Sequence, residues 1–544
     1  MRKNSIELWL YIAILLLALF IRFFQLGDLP LNEAEASSAL QAFQISRGAT
    51  VPLNAQAGYV LLTSVLFTFL RDSEFWARFL PALVGGSMTL LPLLFRKQLG
   101  ILPAVLLAGF IAIDPGLVIL SRTADGSILG IAFLLFCIGF LINNRLVLAG
   151  IFGGLSLVGG ITIWFGLTAL VVGAVFFMVA RKRSGDANES FTISLGQNGR
   201  AWWGKLLIAA AVTVLLTFSL FFRYPSGLGG IFSGLAAYGE GWSFLAGQSP
   251  LSGWLQLQAL SLKTALLSLL LYESLPLVLG IAALIMAFQK RDGLIFALAA
   301  AALSVLFIMI LYPARGFAVF PWLSLPLGAL LCKYLLADYS MEDVQPLPFI
   351  GLLSMILILV VFSAVNLKGV FTGATTDIEG NQLRLASILG SLLIILLGSG
   401  LVIWGWTVTT ATKALFGAFF VLLFAINIQT VWYTVTAANH QRQEVWLTSP
   451  FTDADLLSQT AAEYQNWNIG PGNQSTVWIA GVDSQSLEWA LRSVEKLEKT
   501  QALPTSRDPE MMITSSTQQL AVQDEYAGQD FVLAQQPVWD GLDA

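Results

Sequence analysis

Apolar residues fill most of the chain in long runs, and short polar stretches separate one run from the next. A transmembrane helix needs about 20 mostly apolar residues, and by that length the pattern predicts about thirteen spans. They lie near residues 6–24, 79–95, 101–120, 126–142, 146–161, 163–180, 205–222, 264–288, 293–311, 317–336, 347–366, 386–406 and 413–434. The run 58–70 is too short to cross comfortably, so we predict a helix that lies in the interface or dips into it.

Residues 441–544 follow a different pattern, with more charged and amide residues and shorter apolar runs. Segments 453–467 and 484–499 have the spacing of amphipathic helices, and segments 476–482 and 530–535 have the pattern of strands. The sequence therefore predicts a mainly α, polytopic transmembrane domain over 1–440. A small α/β domain of about 100 residues, a normal domain size, follows over 441–544.

Basic residues predict the orientation, because cytoplasmic loops carry an excess of Lys and Arg. When the spans alternate, Arg2 and Lys3 fall on the same side as the basic clusters 96–97, 181–183 and 290–291. We therefore expect a cytoplasmic N-terminus on a retained membrane anchor. The segments on the outer side are then the first outer loop, 25–78, the connections 121–126, 223–262 and 312–316, and everything after about residue 435, including the C-terminal domain.

Composition supports a multi-pass protein of the cell membrane and excludes several functions. Only 11% of residues are charged and 56% are hydrophobic, whereas soluble domains carry roughly 25% charged residues. A net charge of -4 argues against nucleic acid as a partner. The single histidine, His440, excludes a histidine-cluster zinc site, and the two cysteines suggest no disulfide framework. Acid–base chemistry must then come from carboxylates.

The first outer loop opens with a polar, helix-prone stretch over residues 30–48 that contains two carboxylates. Glu33 and Glu35 are two positions apart, so on a helix their side chains point in nearly opposite directions. One carboxylate can then face a membrane-embedded site while the other faces water. The alternative is structural: Asn32 caps a helix over 33–47, and the glutamates complement its N-terminal dipole.

Three further polar points are predicted to lie on the outer side: Arg78, the pair Arg122 and Asp125, and Arg315. Each has a structural alternative. Arg78 could anchor its helix at the interface, Arg122 and Asp125 could form an ion pair that closes a turn, and Arg315 could be an interface anchor.

Carboxylates and arginines at the outer membrane surface suit a lipid-linked phosphate donor. Arginine binds phosphate through two parallel hydrogen bonds, and a carboxylate can act as general base on an acceptor hydroxyl. A sugar attached to polyprenyl phosphate is such a donor, because its tail lies in the bilayer. The chemistry needs no pyridine or flavin cofactor, and the sequence leaves open whether a divalent cation takes part.

At these positions the chain resembles the GT-C class of membrane glycosyltransferases, and within it the family 39 branch of protein O-mannosyltransferase-like and aminoarabinose-transferase-like enzymes. The likeness covers roughly residues 6–330. It rests on Asn32-Glu33, the run Arg78 to Pro81, the turn Arg122 to Asp125, and Arg315 with the run Phe320 to Pro326.

The resemblance implies transfer of a sugar from polyprenyl phosphate, with inversion, in a cavity under the first outer loop. The family usually has aspartate, often the favoured base, where this chain has Asn32. An amide cannot deprotonate a hydroxyl, so we expect Glu33 to be the catalytic base, with Glu35 in reserve. The residues expected to bind substrate are Arg122 and Arg315 at the donor phosphate, with Asn32, Arg78 and Asp125 around the site.

The first functional hypothesis is therefore a glycosyltransferase that uses a polyprenyl-phosphate sugar and a protein, lipid or glycan acceptor on the outer face. The alternative, motivated by Asn32, is a transport or flippase-associated protein for lipid-linked sugars on a degenerate transferase scaffold. Charged residues predicted almost wholly at span ends favour the enzyme, because transporters often carry charges deep within spans. A structural subunit of a larger membrane complex is a third reading.

Overall fold

The computed structural model describes residues 2–184, 200–243, 259–287, 293–337, 339, 344–372, 378–437, 453–468, 476–494, 496–500, 511–515 and 527–532. His440, the basic cluster 290–291, the predicted domain boundary at 440/441 and the second half of the predicted strand 530–535 lie outside these residues.

Helices account for most of the described chain. The helices of the N-terminal half are α1 Arg2–Phe23, α2 Glu33–Ser46, α3 Ala57–Phe69, α4 Glu74–Ser87, α5 Leu91–Leu94, α6 Arg96–Leu99, α7 Ile101–Ile113, α8 Pro115–Ser121, α9 Ser127–Ile142, α10 Leu146–Ser156, α11 Ile161–Ser184, α12 Arg200–Phe218 and α13 Gly230–Ser243. The rest are α14 Leu262–Tyr272, α15 Ser274–Ala287, α16 Gly293–Leu311, α17 Phe320–Leu330, α18 Pro346–Thr372, α19 Ile378–Gly405, α20 Val408–Val435, α21 Ala454–Asn468 and α22 Gln485–Ala490.

Each predicted span coincides with a helix or a helix pair, and the chain is a multi-pass membrane protein. Within the described residues, eight segments are long and apolar enough to cross a bilayer, and two bent helix pairs raise the number to ten. The predicted spans 126–142, 146–161 and 205–222 correspond to shorter apolar helices. The predicted count of thirteen is therefore not confirmed. The short run 58–70 forms α3, whose N-terminal half is buried.

Two of the predicted spans are broken. Helices α7 and α8 meet at 55° around Asp114, and α14 and α15 meet at 87° around Glu273. The first break follows from Pro115, because a residue that precedes proline is driven towards extended backbone, and Asp114 has ψ 122°. The second lies just before Pro276, which has no N–H to donate to the Tyr272 carbonyl. Both breaks place an acidic side chain inside an apolar region.

The C-terminal region contains a small parallel sheet beside α21 and α22. Its strands are β1 Thr476–Ala480, β2 Lys496–Thr500 and β3 Met511–Thr514, in the order β2-β1-β3. The predicted strand 476–482 is confirmed by β1 and the predicted helix 453–467 by α21.

One prediction for this region is wrong. The amphipathic pattern of 484–499 predicts a single helix, but the helix ends at Ala490 and Lys496 begins a strand that pairs with Thr476. Pairing with β1 outweighs the weak local preference of this charged segment for helix. The predicted strand 530–535 is not formed over its described part, residues 530–532.

We predict that Gly130→Ala destabilises the transmembrane domain. A Cβ at Gly130 would lie 2.6 Å from the Gly159 Cα, so α9 would be forced away from the junction of α10 and α11. Overpacking of this kind costs about 1–3 kcal/mol. Thermal unfolding of the purified protein should show a lower Tm than for Gly109→Ala, whose added Cβ meets nothing within 4 Å. Equal Tm values would contradict this packing.

Candidate functional site

The polar stretch of the first outer loop begins α2 with a reciprocal cap. Asn32 Oδ1 accepts a hydrogen bond from the Glu35 N–H at 3.0 Å, and the Asn32 N–H donates to Glu35 Oε2 at 3.1 Å. This arrangement satisfies two N–H groups at the helix start and orients Glu35 towards the protein. Asn32 therefore caps α2, which is the structural alternative predicted for it from the sequence.

Glu35 and Arg78 form a buried, two-pronged ion pair. Arg78 Nε donates to Glu35 Oε1 at 2.9 Å and Arg78 Nη2 donates to Oε2 at 2.8 Å. The Ala124 N–H also donates to Glu35 Oε1, at 2.7 Å. With Asn32 included, four donors surround the carboxylate, and both side chains of the pair are about 5% exposed. Glu35 therefore joins the first outer loop, α4 and the segment after α8.

Arg78 also holds the chain that leaves α1. Its Nη1 donates to the carbonyls of Leu29, at 2.6 Å, and Leu26, at 3.3 Å, and its Nη2 donates to the Pro30 carbonyl at 3.2 Å. These carbonyls have no helical partner, and a charged donor compensates for the partners they lack. Arg78 therefore sets the course of residues 26–30 into α2.

Arg122 performs the same task at the end of α1. Its guanidinium donates to carbonyls of five residues, Ile21, Arg22, Phe24, Gln25 and Val435. Burial lowers the pKa of Arg122 to about 10; the charges of Arg78 and Arg22 act in the same direction, and the charge of Asp28 opposes them. It is still a cation at neutral pH. Within the described residues Arg122 has no ion pair with a carboxylate, so its charge is not neutralised by contact.

Four of the seven predicted site residues line one small cleft. This cleft lies where α1 ends, α2 begins and the C-terminal end of α20 approaches. Its walls are formed by Gln25, Leu26, Leu29, Pro30, Asn32, Glu35, Arg78, Arg122, Thr123 and Thr434. Glu35 neutralises Arg78, so the positive charge that lines the cleft is that of Arg122, which Asp28 offsets only from a distance.

Asp125 lies on the same short segment as Arg122 but does not line the cleft. Its Oδ1 accepts from the Ser127 N–H at 2.7 Å and its Oδ2 from the Ser127 hydroxyl at 3.1 Å. The side chain is half-buried. Burial raises the pKa of Asp125 to about 6, and the negative charge of Glu35 adds to the rise. The predicted ion pair between Arg122 and Asp125 is not formed.

Glu33 faces the C-terminal domain. Its carboxylate accepts hydrogen bonds from the Ser484 hydroxyl, from the Gln485 N–H at 2.8 Å, and from the hydroxyl and N–H of Ser486 at 2.6 and 3.3 Å. The carboxylate thus lies against the first residues of α22. Glu33 is not among the residues that line the cleft.

A second set of contacts continues this interface. Trp489 Nε1 donates to Glu74 Oε1 at 2.8 Å, and the Trp489 ring stacks on Phe67 at 5.9 Å between centroids. Arg492 lies over the Trp489 ring at 4.1 Å and pairs with Glu74 at 3.5 Å and Asp72 at 3.6 Å. Trp489 is 2% exposed and belongs to the core of the first outer loop. The C-terminal domain is therefore docked on this loop.

Arg315 is at the end of α16, away from the cleft. Its Nε donates to the Met309 carbonyl at 2.8 Å and its Nη2 to the Ile310 carbonyl at 3.2 Å. Burial lowers the pKa of Arg315. Arg315, Glu33 and Asp125 therefore do not line the cleft, although Asp125 lies close enough to Glu35 for their charges to interact.

Three buried charged residues were missed by the sequence reasoning: Arg22, Asp114 and Glu273, each at most 1% exposed. The expectation that charges lie almost wholly at span ends is therefore corrected, because the helix breaks place Asp114 and Glu273 within predicted spans. Their signal was a charged residue inside an apolar run. No three His, Cys, Asp or Glu side chains converge as a metal site in the described part of the chain.

Comparison with solved structures identifies the fold. The chain matches the crystal structure of ArnT from Cupriavidus metallidurans bound to undecaprenyl phosphate with a TM-score of 0.54, covering 90% of this chain and 85% of that one at 13% identity. The apo structure of the same ArnT gives 0.52, covering 91% and 86% at 13% identity. No family model matches the sequence, and neither does any curated protein. The chain has the GT-C fold, which confirms, for the fold, the resemblance seen in the sequence.

We predict that Glu35→Gln strongly destabilises the protein, because it leaves the Arg78 guanidinium buried without its counter-charge. Breaking a buried pair in this way costs about 3–5 kcal/mol. Thermal unfolding in detergent should show a much lower Tm than for Glu463→Gln, which removes an exposed carboxylate. A Tm equal to that of the wild type would mean that the pair does not hold the loop.

We predict that Trp489→Ala loosens the C-terminal domain from the first outer loop. Removing a buried tryptophan costs about 3–5 kcal/mol, and here the loss is local to the interface. Hydrogen exchange in α2 and α22 should become faster, while exchange in α16 stays unchanged. Trp404→Ala is the matched control, because that side chain is 88% exposed on a membrane helix. Unchanged exchange in α2 would contradict a tight interface.

Proposed function

We propose that the protein is an inverting membrane glycosyltransferase that moves a sugar from a polyprenyl-phosphate donor to a protein, lipid or glycan acceptor. The carrying observation is the cleft at the end of α1, in which Arg122 has no carboxylate in contact among the described residues and feels Asp28 only at longer range. Support also comes from the fold, which this chain shares with an ArnT structure that contains undecaprenyl phosphate. A lipid phosphate in the cleft would neutralise Arg122.

Arg122 is the first candidate for the donor phosphate, and Arg315 is the second. Both guanidiniums donate mainly to backbone carbonyls, so both keep a full positive charge that a phosphate can balance. Arg78 is a weaker candidate, because Glu35 already neutralises it. Arg78 and Glu35 would instead hold the loop that forms the cleft, and Asn32 would fix the start of α2.

The choice of catalytic base depends on how many hydrogen bonds each carboxylate already accepts. Hydrogen bonds to a charged carboxylate stabilise that form and make it a poorer base. Glu35 accepts four such bonds, and Glu33 accepts four from residues 484–486. Asp125 is half-buried, accepts bonds from Ser127 alone and has a pKa raised to about 6. These differences favour Asp125 as the base over Glu33, which the sequence predicted. Asp125 would act on an acceptor beside the cleft, and Glu33 would hold the C-terminal domain.

The proposal includes an orientation. The N-terminus is cytoplasmic, and the cleft and the C-terminal domain lie on the extracytoplasmic face of the cell membrane. The clustering of basic residues supports this arrangement. The contact of the C-terminal domain with the first outer loop agrees with it, because both must lie on one side. We propose no organic cofactor, and activity with and without EDTA tests for a divalent cation.

A transport function for lipid-linked sugars is the second candidate. It is favoured by the helix breaks at Asp114 and Glu273, since broken helices and buried acids are typical of transporters. Asn32→Asp separates the two candidates, because aspartate preserves the cap on Glu35 while adding a carboxylate to the cleft. A gain in sugar transfer would favour a weakened enzyme. Sugar-lipid movement without any transfer would favour transport.

We predict that Arg122→Gln raises the KM for a polyprenyl-phosphate sugar by about tenfold or more, because it removes a charged hydrogen-bond donor.

Asp125→Asn should lower kcat by about 100-fold or more. The wild-type rate should rise with pH up to about 6 and then level off, because a base works in its ionised form and the pKa of Asp125 is about 6. The measurement is sugar transfer in proteoliposomes across a pH series.

Two variants serve as controls. Arg223→Gln removes an exposed arginine, and Glu463→Gln removes an exposed carboxylate, so both should transfer sugar like the wild type. Glu33→Gln should change kcat only a few-fold if Asp125 is the base. Loss of transfer in Glu33→Gln with normal transfer in Asp125→Asn would return that role to Glu33. Normal transfer in both Asp125→Asn and Arg122→Gln would refute the mechanism.

A further inference from the structure

The break between α7 and α8 leaves carbonyl groups of α7 without helical partners inside the membrane domain, and Arg22 satisfies two of them. Arg22 Nη1 donates to the Ala112 carbonyl at 3.1 Å and Nη2 to the Ile111 carbonyl at 3.0 Å. Its Nε donates to the Ser121 hydroxyl at 3.1 Å. The side chain is fully buried. One positive charge is therefore fixed beside the break.

The N–H groups on the other side of the break are satisfied by two carboxyl groups. Asp114 Oδ1 accepts from the Leu117 N–H at 2.9 Å, and Glu273 Oε1 accepts from the Gly116 N–H at 3.1 Å. A Cβ on Gly116 would come within 2.1 Å of Glu273 Oε1, so the approach of Glu273 depends on glycine there. Each carboxyl group thus uses one oxygen for the backbone.

The second oxygen of each carboxyl group has no backbone partner within the described residues. Asp114 Oδ2, Glu273 Oε2 and the Ser324 hydroxyl are buried, and none of them makes a hydrogen bond of good geometry there. The three side chains face one another: Glu273 Oε1 and Asp114 Oδ1 both lie beside Gly116, and Asp114 interacts with both Glu273 and Ser324. Two ionised carboxylates have no hydrogen to share, and buried oxygen atoms left in this state are costly.

The sum of the charges of Asp114, Glu273 and Arg22 indicates which ligand would make this buried cluster neutral. Two ionised carboxylates and Arg22 would leave one buried negative charge, and these are the charged groups of the described residues that act on the pair. One added positive charge makes the cluster neutral, whereas a divalent ion would leave it positive. We propose that Asp114, Glu273 and Ser324 form a binding site for one unit of positive charge, a proton or an alkali-metal ion, that locks the two broken helices together.

Asp114, Glu273 and Ser324 do not line the cleft, and the proposed transfer reaction gives them no role. A proton or an alkali ion would bridge Asp114 Oδ2 and Glu273 Oε2, joining α8 to the junction of α14 and α15. An alkali ion would also use the Ser324 hydroxyl, because such ions prefer oxygen ligands. In either case the broken helices are held by a charge that the chain itself does not supply.

Amide variants of the purified full-length protein test this proposal. Glu273→Gln and Asp114→Asn each remove one negative charge, so the remaining carboxylate balances Arg22 without a bound cation. Each should melt within about 2 °C of the wild type. The double variant leaves Arg22 unbalanced and should lose more than roughly 4 °C of Tm, or fail to fold. The matched control, Asp455→Asn with Glu463→Gln, makes the same charge change at two exposed positions and should melt like the wild type.

Salt distinguishes the two sources of the charge. If an alkali ion binds, NaCl or KCl should raise the wild-type Tm relative to equimolar choline chloride, and Glu273→Gln should lose that response. If a proton binds, the three chlorides should give the same Tm. The proposal is overturned if either single amide variant is as unstable as the double variant, if the double variant melts like the wild type, or if only Mg²⁺ or Ca²⁺ stabilises the protein.

Discussion

The structure depends on how carbonyl groups at the ends of buried helices are satisfied. In a bilayer no water can do this, so each free carbonyl needs a donor from the protein. Four buried arginines serve this purpose: Arg22 at the end of α7, Arg122 at the end of α1, Arg78 on the chain after α1, and Arg315 at the end of α16. Arg78, Arg122 and Arg315, which the sequence assigns to the substrate site, therefore also stabilise the fold.

These structural contacts determine which charged groups the cleft presents. Arg78 is neutralised by Glu35 and can only support the loop, whereas Arg122 makes its carbonyl contacts without losing its charge. A guanidinium held by several carbonyls is also fixed in orientation, which would suit the phosphate of the proposed donor. The capping box of Asn32 and Glu35 fixes the opposite wall. The cleft is thus preorganised by contacts that also hold the fold together.

The fold was readable from the sequence because its main signal is the length of apolar runs. Helix breaks were harder to predict: Asp114 before Pro115 is a recognisable signal, but Glu273 and Pro276 do not by themselves indicate an 87° bend. The strand β2 was missed because KLEKT has the composition of an exposed helix, and only pairing with β1 makes it a strand.

The candidate site was readable only in part. Order along the chain and a shared side of the membrane predicted that Asn32, Glu35, Arg78 and Arg122 belong together, and they do line one cleft. Nothing in the sequence shows that Glu33 is bound by residues 484–486, more than 400 positions away along the chain. Nor does it show which carboxylate accepts the fewest hydrogen bonds, because the donors to Glu33 and Glu35 come partly from distant segments.

The bend between α14 and α15 has a consequence for the surrounding lipid. With α14 turned through 87°, the described second arm of the bent pair is the 14-residue α15, a length of about 21 Å at 1.5 Å per residue. The hydrocarbon layer of a bilayer is about 30 Å thick. A short arm of this kind favours a locally thinner bilayer beside it.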